Sequence, residues 1–137
     1  PVIFASNTNP YTFEYGYSYR TNGQKENNNS ASSYGASYGN GDIIGVAFNA
    51  TNGSITFYKN GASQGVAFSS LNSNYWVFYC TLLSSASVSW NFGNGFFGTT
   101  AITTNSGNGY AGADGKSKFN YAVPSAHSAL STKGLNQ

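Results

Sequence analysis

At 137 residues with a formal net charge of +2, the chain is long enough for one domain with a real core. Only 7% of residues are charged and 17% are aromatic, so solubility rests on Ser, Thr, Asn and Gly, which suits an extracellular or virion-borne β-module better than a typical cytosolic enzyme. The aromatic content argues against intrinsic disorder, the scattered Lys and Arg against the concentrated basic footprint that nucleic acid requires, and the short apolar runs against a bilayer-spanning helix.

The opening Val2–Ala5 reads as a short strand, stopped by the turn at Asn9-Pro10. In YTFEYGYSYR an aromatic stands at every second position, Tyr11, Phe13, Tyr15, Tyr17 and Tyr19. That is strand periodicity, with Thr12, Glu14, Gly16, Ser18 and Arg20 on a wetter face. Asn22-Gly23 turns the chain, and QKENNNS returns as an edge strand or a loop. Ser30–Asn40 is rich in Gly and Ser and presents Tyr34 and Tyr38 in a SYGA/SYGN pair. Two readings stand here: a flexible surface loop, or a loop offering two flat rings to a ligand.

The most organised stretch is Gly41–Phe92. Ile44, Val46 and Phe48 would share one strand face, and Ile55 and Phe57 the next, with Phe57 buried between sheets. Asn52-Gly53 and Asn60-Gly61 close these runs, and Asn-Gly is the strongest short signal of a two-residue hairpin turn. Tyr75–Leu83 is apolar enough for a central strand covered on both faces. Val88, Trp90 and Phe92 alternate with polar residues and predict a further strand with one dry face. Together they predict an antiparallel meander within a β-sandwich.

Beyond Phe92, Gly93-Asn94-Gly95 leads into FFGTTAITT, a further predicted strand. Asn105–Lys118 reads as a long exposed loop with Tyr110 and Asp114 as its notable side chains, and loops of that length are uncommon unless functional or mobile. Phe119–Val123 predicts a last strand ended by Pro124, and Ser125–Gln137 a polar tail along the outside. No stretch sustains a helical period.

Catalytic chemistry finds little support. His127 is the only histidine, and no nucleophile-elbow pattern accompanies it. The four carboxylates are Glu14, Glu26, Asp42 and Asp114. Glycoside hydrolysis needs two facing carboxyl groups, and Glu14 with Glu26 is the least unsuitable pair. Asp42, at the entry to a core strand, is placed to accept from local backbone N–H groups. Cys80 is the only cysteine and reads as a buried small hydrophobe. No metal-ligand cluster and no cofactor motif occur. What remains is binding: Tyr34, Tyr38 and Tyr110 could stack on a sugar ring while Asn40, Asn108 and Asp114 meet its hydroxyls. The same residues serve equally as packing and solubilising groups.

GDIIGV, then NGSITFYKNG, then NFGNGFF resembles the central part of the SPRY domain, a bent sandwich of two antiparallel sheets similar to the concanavalin-like jelly rolls. The resemblance is specific over about residues 41–97. Together with the ending FNYAVPSAHSALSTKGLN it is closest to SPRY-like modules of tailed-bacteriophage tail and fibre proteins. It implies a non-enzymatic virion-surface or extracellular module, with residues 1–124 as the sandwich and 125–137 as its tail. Its partners would be a host-surface glycan or protein, or another virion subunit, with no nucleic acid and no membrane insertion. A homo-oligomer is expected, a trimer among its forms. A purely structural spacer and a glycan depolymerase are the alternatives. In the SPRY pattern a strand pair precedes the segment that VIFA resembles, so the sandwich is expected to lack its first strands here and the chain to be the C-terminal part of a longer polypeptide.

Overall fold

The chain divides into two units, Pro1–Thr81 and Leu82–Gln137, and its described residues form ten short strands. The computed structural model describes residues 16–71, 76–82, 86–102, 110–112, 115, 117–125 and 127–130. Among these residues there is no helix, and every pairing between named strands is antiparallel. The all-β expectation holds. The expected strands at Val2–Ala5 and Tyr11–Tyr15 lie outside the described residues.

In the first unit, β1 (Tyr17–Tyr19), β2 (Gln24–Asn27) and β3 (Ser30–Ser33) form one sheet in that order. Two kinds of turn set its register. After β1, Gly23 N donates to Arg20 O at 2.9 Å, and Asn22 Oδ1 accepts from Gln24 N at 3.1 Å. After β2, Asn28 and Asn29 take φ of 47° and 59°, so that Asn27 faces Ser30 across a two-residue turn. Asn tolerates this left-handed region because its short polar side chain bonds locally. QKEN is therefore the central strand of three, and Ser30–Ser33 is a strand where a loop was expected.

β4 (Ile44–Asn49), β5 (Ser54–Lys59) and β6 (Ala62–Phe68) form the second sheet, in that order. Asn60-Gly61, at φ 48° and 82°, is the predicted two-residue turn, and it sets Lys59 opposite Ala62. Asn52-Gly53 is not such a turn. Asn49 pairs with Ser54, which leaves a four-residue connection in which Asn49 Oδ1 accepts from Thr51 N and Asn52 N at 3.0 and 3.3 Å. The side chain of Asn49 closes the turn one step earlier than the Asn-Gly pair would.

The two sheets meet through aromatic rings. Tyr17 lies edge-on to Phe68 at 5.0 Å, and Tyr19 lies 5.3 Å from Phe57. Tyr19, Ile55, Phe57 and Ala67 are buried, with Tyr34, Tyr38, Ile44, Phe48 and Trp76 among the residues packed on them. This is the sandwich packing expected of alternating strands. The dry face of β4 is dry only in part. Ile44 and Phe48 reach the cluster, whereas shorter Val46 between them is 42% exposed, and the small Ala47 on the other face is buried.

Two predicted strands are absent among the described residues. Residues 76–82 and 86–92 have no strand structure, and Val77, Phe78, Tyr79 and Leu82, then Val88, Trp90 and Phe92, are exposed. A strand exists by its ladder, and an apolar run with the right alternation does not by itself supply one. Alternation does leave a local trace: Trp90 and Phe92 stack at 5.6 Å with rings 5° from parallel. Tyr75 and Leu83 lie outside the described residues.

In the second unit, β7 (Phe96–Phe97) and β8 (Thr100–Ala101) form a hairpin around Gly98-Thr99, where a single strand over FFGTTAITT was expected. β9 (Tyr110–Ala111) pairs with β10 (Lys118–Phe119), so Asn105–Lys118 is not exposed loop throughout, and the last strand is shorter than Phe119–Val123. Ser117, within that expected loop, is fully buried, and its Oγ accepts from Gly112 N at 3.1 Å. Asn91 Nδ2 donates to Lys118 O at 3.0 Å and Lys118 N to Gly93 O at 3.0 Å, which ties β10 to the segment before β7.

Phe57 stands 7% exposed beneath Tyr19. Phe57→Ala should destabilise the chain by about 3–5 kcal/mol, while Val66→Ala, at a position 59% exposed, should change stability by less than about 0.5 kcal/mol. Urea unfolding of the two variants measures both.

Candidate functional site

The segment between β3 and β4 has no strand structure, yet nearly every residue in it is held. Tyr34 N and Gly35 N donate to Gly23 O at 3.1 and 2.9 Å. Ala36 N donates to Gln64 Oε1 at 2.9 Å, and Ala36 O accepts from the Tyr19 hydroxyl. Ser37 O accepts from Lys59 Nζ at 2.7 Å. Tyr38 N donates to Thr21 O at 2.9 Å, and its hydroxyl donates to Tyr19 O at 2.6 Å. The Tyr34 hydroxyl donates to Gly65 O at 2.5 Å and accepts from Phe57 N at 3.2 Å.

The tip of the loop is closed by Asp42. Its Oδ2 accepts from Gly39 N at 2.9 Å and lies 3.4 Å from Lys59 Nζ, and its Oδ1 accepts from Asn60 Nδ2 at 2.6 Å. Asn60 Oδ1 in turn accepts from Ile43 N at 2.8 Å. The turn of the β5–β6 hairpin thus grips both ends of the loop's exit. Hydrogen bonds from Gly39 and Asn60, with Lys59 beside them, hold the Asp42 carboxyl below its ordinary 3.8. Burial pushes the Tyr19 hydroxyl above the usual tyrosine value, and the Asp42 carboxylate adds to the effect. Burial also raises Tyr34, partly offset by the bond from Phe57 N.

Tyr34 and Tyr38 are therefore packing residues whose rings lie 5.2 and 4.9 Å from Tyr19. Both hydroxyls are turned to backbone carbonyls and both rings are half-buried, so neither is a free platform for a sugar ring. Nor is the loop a loose one. Asn40 is exposed at the tip beside Gly41. Tyr110 contributes backbone to β9, and Asn108 and Asp114 lie outside the described residues. Of the six residues proposed for a sugar site, Tyr34, Tyr38 and Asn40 thus lie on the one loop of the first unit and Tyr110 in the second unit.

The chemistry-bearing side chains are accounted for locally. Asp42 binds backbone N–H as its sequence position suggests. Glu26 is 5% exposed and ion-paired with Arg20 at 3.4 Å, while Glu14 lies outside the described residues. His127 Nδ1 lies 3.1 Å from Ser125 O. Cys80 is exposed, contrary to the expectation of burial, because the strand that would have buried it does not form. Neighbouring atoms still desolvate the thiol enough to push its ionisation upward, so it stays protonated at neutral pH. Among the described residues no group of three or more His, Cys, Asp and Glu could hold a metal ion. Sequence reasoning missed Lys59, Gln64 and Lys25 as loop and sheet anchors. Lys25 Nζ donates to Ala67 O at 2.6 Å and lies 5.3 Å from the Phe68 ring centre. Nothing in a lone Lys announces such a carbonyl partner 42 residues away.

The SPRY domain family matches the chain over residues 4–95. The chain is similar to the ATP-dependent RNA helicase Ddx1 of Drosophila melanogaster, at 34% identity over 99 residues covering 64% of this chain and 14% of that protein. It is similar to the probable ATP-dependent RNA helicase ddx1 of Dictyostelium discoideum, at 36% identity over 90 residues covering 65% of this chain and 12% of that protein. A third relative is the dual specificity protein kinase splA of Dictyostelium discoideum, at 49% identity over 51 residues covering 37% of this chain and 2% of that protein. No solved structure matches. The chain spans at most 14% of the length of these relatives. The family match and the antiparallel sheets bear out the all-β, SPRY/concanavalin-like sandwich. The family match together with these relatives overturns the phage reading: the three named are two eukaryotic helicases and a eukaryotic kinase, and nothing found links the chain to a tail fibre or a virion.

Two outcomes test the loop's anchors. Tyr34→Phe leaves the Phe57 N–H without its partner and should cost about 1–3 kcal/mol in urea unfolding. The folded Asp42 carboxyl lies below 3.8, so the stabilisation it gives is fully present above that value and is lost as pH falls through the lower folded value. Hydrogen exchange at Gly39 N should accordingly quicken on acidification below 3.8 relative to neighbouring amides, and Asp42→Asn should remove that pH dependence.

Proposed function

The chain belongs to the SPRY domain family, and on that premise we propose that it is a non-enzymatic protein-interaction module whose binding surface is centred on the loop between β3 and β4. The reading is supported above all by the way this loop is held. Residues Tyr34–Gly39 are fastened to two sheets and a hairpin turn, while Ala36, Ser37, Gly39, Asn40 and Gly41 are exposed. Binding residues sit disproportionately on loops positioned by a rigid scaffold. A loop already fixed loses little conformational freedom when a partner docks, so more of the contact energy appears as affinity.

The chemistry of the surface narrows the partner. The loop's one carboxylate, Asp42, is engaged by Lys59 and Asn60, so the exposed tip is small, polar and uncharged. It suits a peptide segment recognised by shape and backbone hydrogen bonds better than a phosphorylated or strongly charged one. The helicase and kinase activities named for the relatives reside in proteins of which this chain matches only a small part.

The test starts by selecting peptides that bind the chain from a random display library. Asn40→Arg should weaken the selected peptides roughly tenfold or more, as truncation or blocking at an interface centre does. Thr51→Arg, in the exposed connection at the other end of β5, should leave affinity unchanged. Equal affinity for both variants in calorimetry would place the binding surface elsewhere.

A further inference from the structure

The chain carries five described Asn-Gly pairs, at Asn22, Asn40, Asn52, Asn60 and Asn94. Such pairs are chemically alike in an unfolded chain, because Gly offers no side chain to hinder attack of its own backbone nitrogen on the preceding carboxamide. The fold makes them unlike. Asn22 bonds Gln24 through both its Oδ1 and its Nδ2 at 3.1 and 2.8 Å. Asn52 Oδ1 accepts from Ser54 Oγ at 2.7 Å, and Asn94 Oδ1 from Phe96 N at 3.1 Å. Asn60 is held at both ends, by Ile43 N and by Asp42 Oδ1. Among the described residues only the Asn40 amide has no such partner; it is exposed, and Gly41 has open space around it at φ 82°. Asp42 N bonds Gly39 O at 3.1 Å, which leaves Asn40 and Gly41 as the two central residues of a turn with the Gly41 N–H unengaged.

We propose that, of the five described pairs, Asn40-Gly41 is the site of fastest spontaneous deamidation, with water as the co-reactant, and that the fold protects the other four; Asn108-Gly109 lies outside the described residues. Gly41 N attacks Asn40 Cγ; the new N–Cγ bond forms as the Cγ–Nδ2 bond breaks, and ammonia leaves carrying the amide proton. Water then opens the resulting succinimide at either carbonyl, giving aspartate or isoaspartate at position 40. No oxidation or reduction occurs. The reaction requires the carboxamide to rotate onto the following nitrogen, so each hydrogen bond that restrains it slows the step. The product sets a second carboxylate two residues from Asp42, and the isoaspartate form adds a methylene to the backbone of the turn that Asp42 closes on Gly39. The inference goes beyond the binding reading and does not depend on it.

The experiment incubates the folded full chain in mildly alkaline buffer, digests it and follows amide-to-acid conversion and isoaspartate at each pair by mass spectrometry. Asn40 should lead, with the others roughly two- to tenfold slower for each hydrogen bond that must break. In urea the five rates should converge. Ser54→Ala, which frees the Asn52 amide, should raise the rate at Asn52 by roughly two- to tenfold without changing Asn40. Conversion at Asn40 no faster than at the other four, or a lead that persists in urea, would overturn the proposal.

Discussion

The first unit depends on one side chain, Tyr19. Its ring packs on Phe57, Tyr34 and Tyr38, which joins the β1–β2–β3 sheet, the β4–β5–β6 sheet and the loop between them at a single point. Its hydroxyl donates to Ala36 O and its carbonyl accepts from Tyr38, so the same residue anchors both ends of the loop's inner run. Aromatic pairs at these spacings add about 0.5–1.5 kcal/mol each beyond the area they bury. The buried hydroxyl is tolerated because it has a partner; without one it would carry a desolvation penalty.

That arrangement explains how a loop rich in Gly and Ser comes to be ordered. Its composition says flexible, and the same composition leaves room for backbone groups to approach Gly23, Thr21 and the β6 strand closely. Tertiary partners override the local preference. The Asp42–Lys59–Asn60 node does at the tip what the tyrosines do at the base. It uses an exposed carboxylate whose charge is screened and partnered, so it fixes geometry more than it adds stability. A fixed loop with a neutral tip on an all-β frame is what the proposed binding role rests on, and that proposal takes the place of the virion-borne reading.

The sequence was most legible where short-range physics decides. Asn60-Gly61 and the alternation around Phe57 could be read directly, because positive φ at a two-residue turn and period-two burial are local constraints. So could Asp42, whose role is set within three residues of its own position. Elements whose existence depends on a distant partner were not legible. Residues 77–82 have the composition of a buried strand and lie exposed, Cys80 among them, while Trp76 just before them packs on the core. Asn49 pre-empted the turn expected of Asn52-Gly53 through its side chain. Tyr34 and Tyr38 were singled out by spacing, and the same spacing serves to turn both hydroxyls inward. Of the other four residues proposed with them, Asn108 and Asp114 lie outside the described residues, Tyr110 contributes backbone to β9 and Asn40 remains at the tip.

The central claim is that the loop over residues 34–41 is as rigid as the strands it joins, before any partner binds. Backbone 15N relaxation of the isolated chain measures this directly. The account predicts order parameters for residues 35–40 near the rigid-backbone value of about 0.85, alongside β4 and β5. Values below about 0.6 across those residues, with β4 and β5 still rigid, would contradict it.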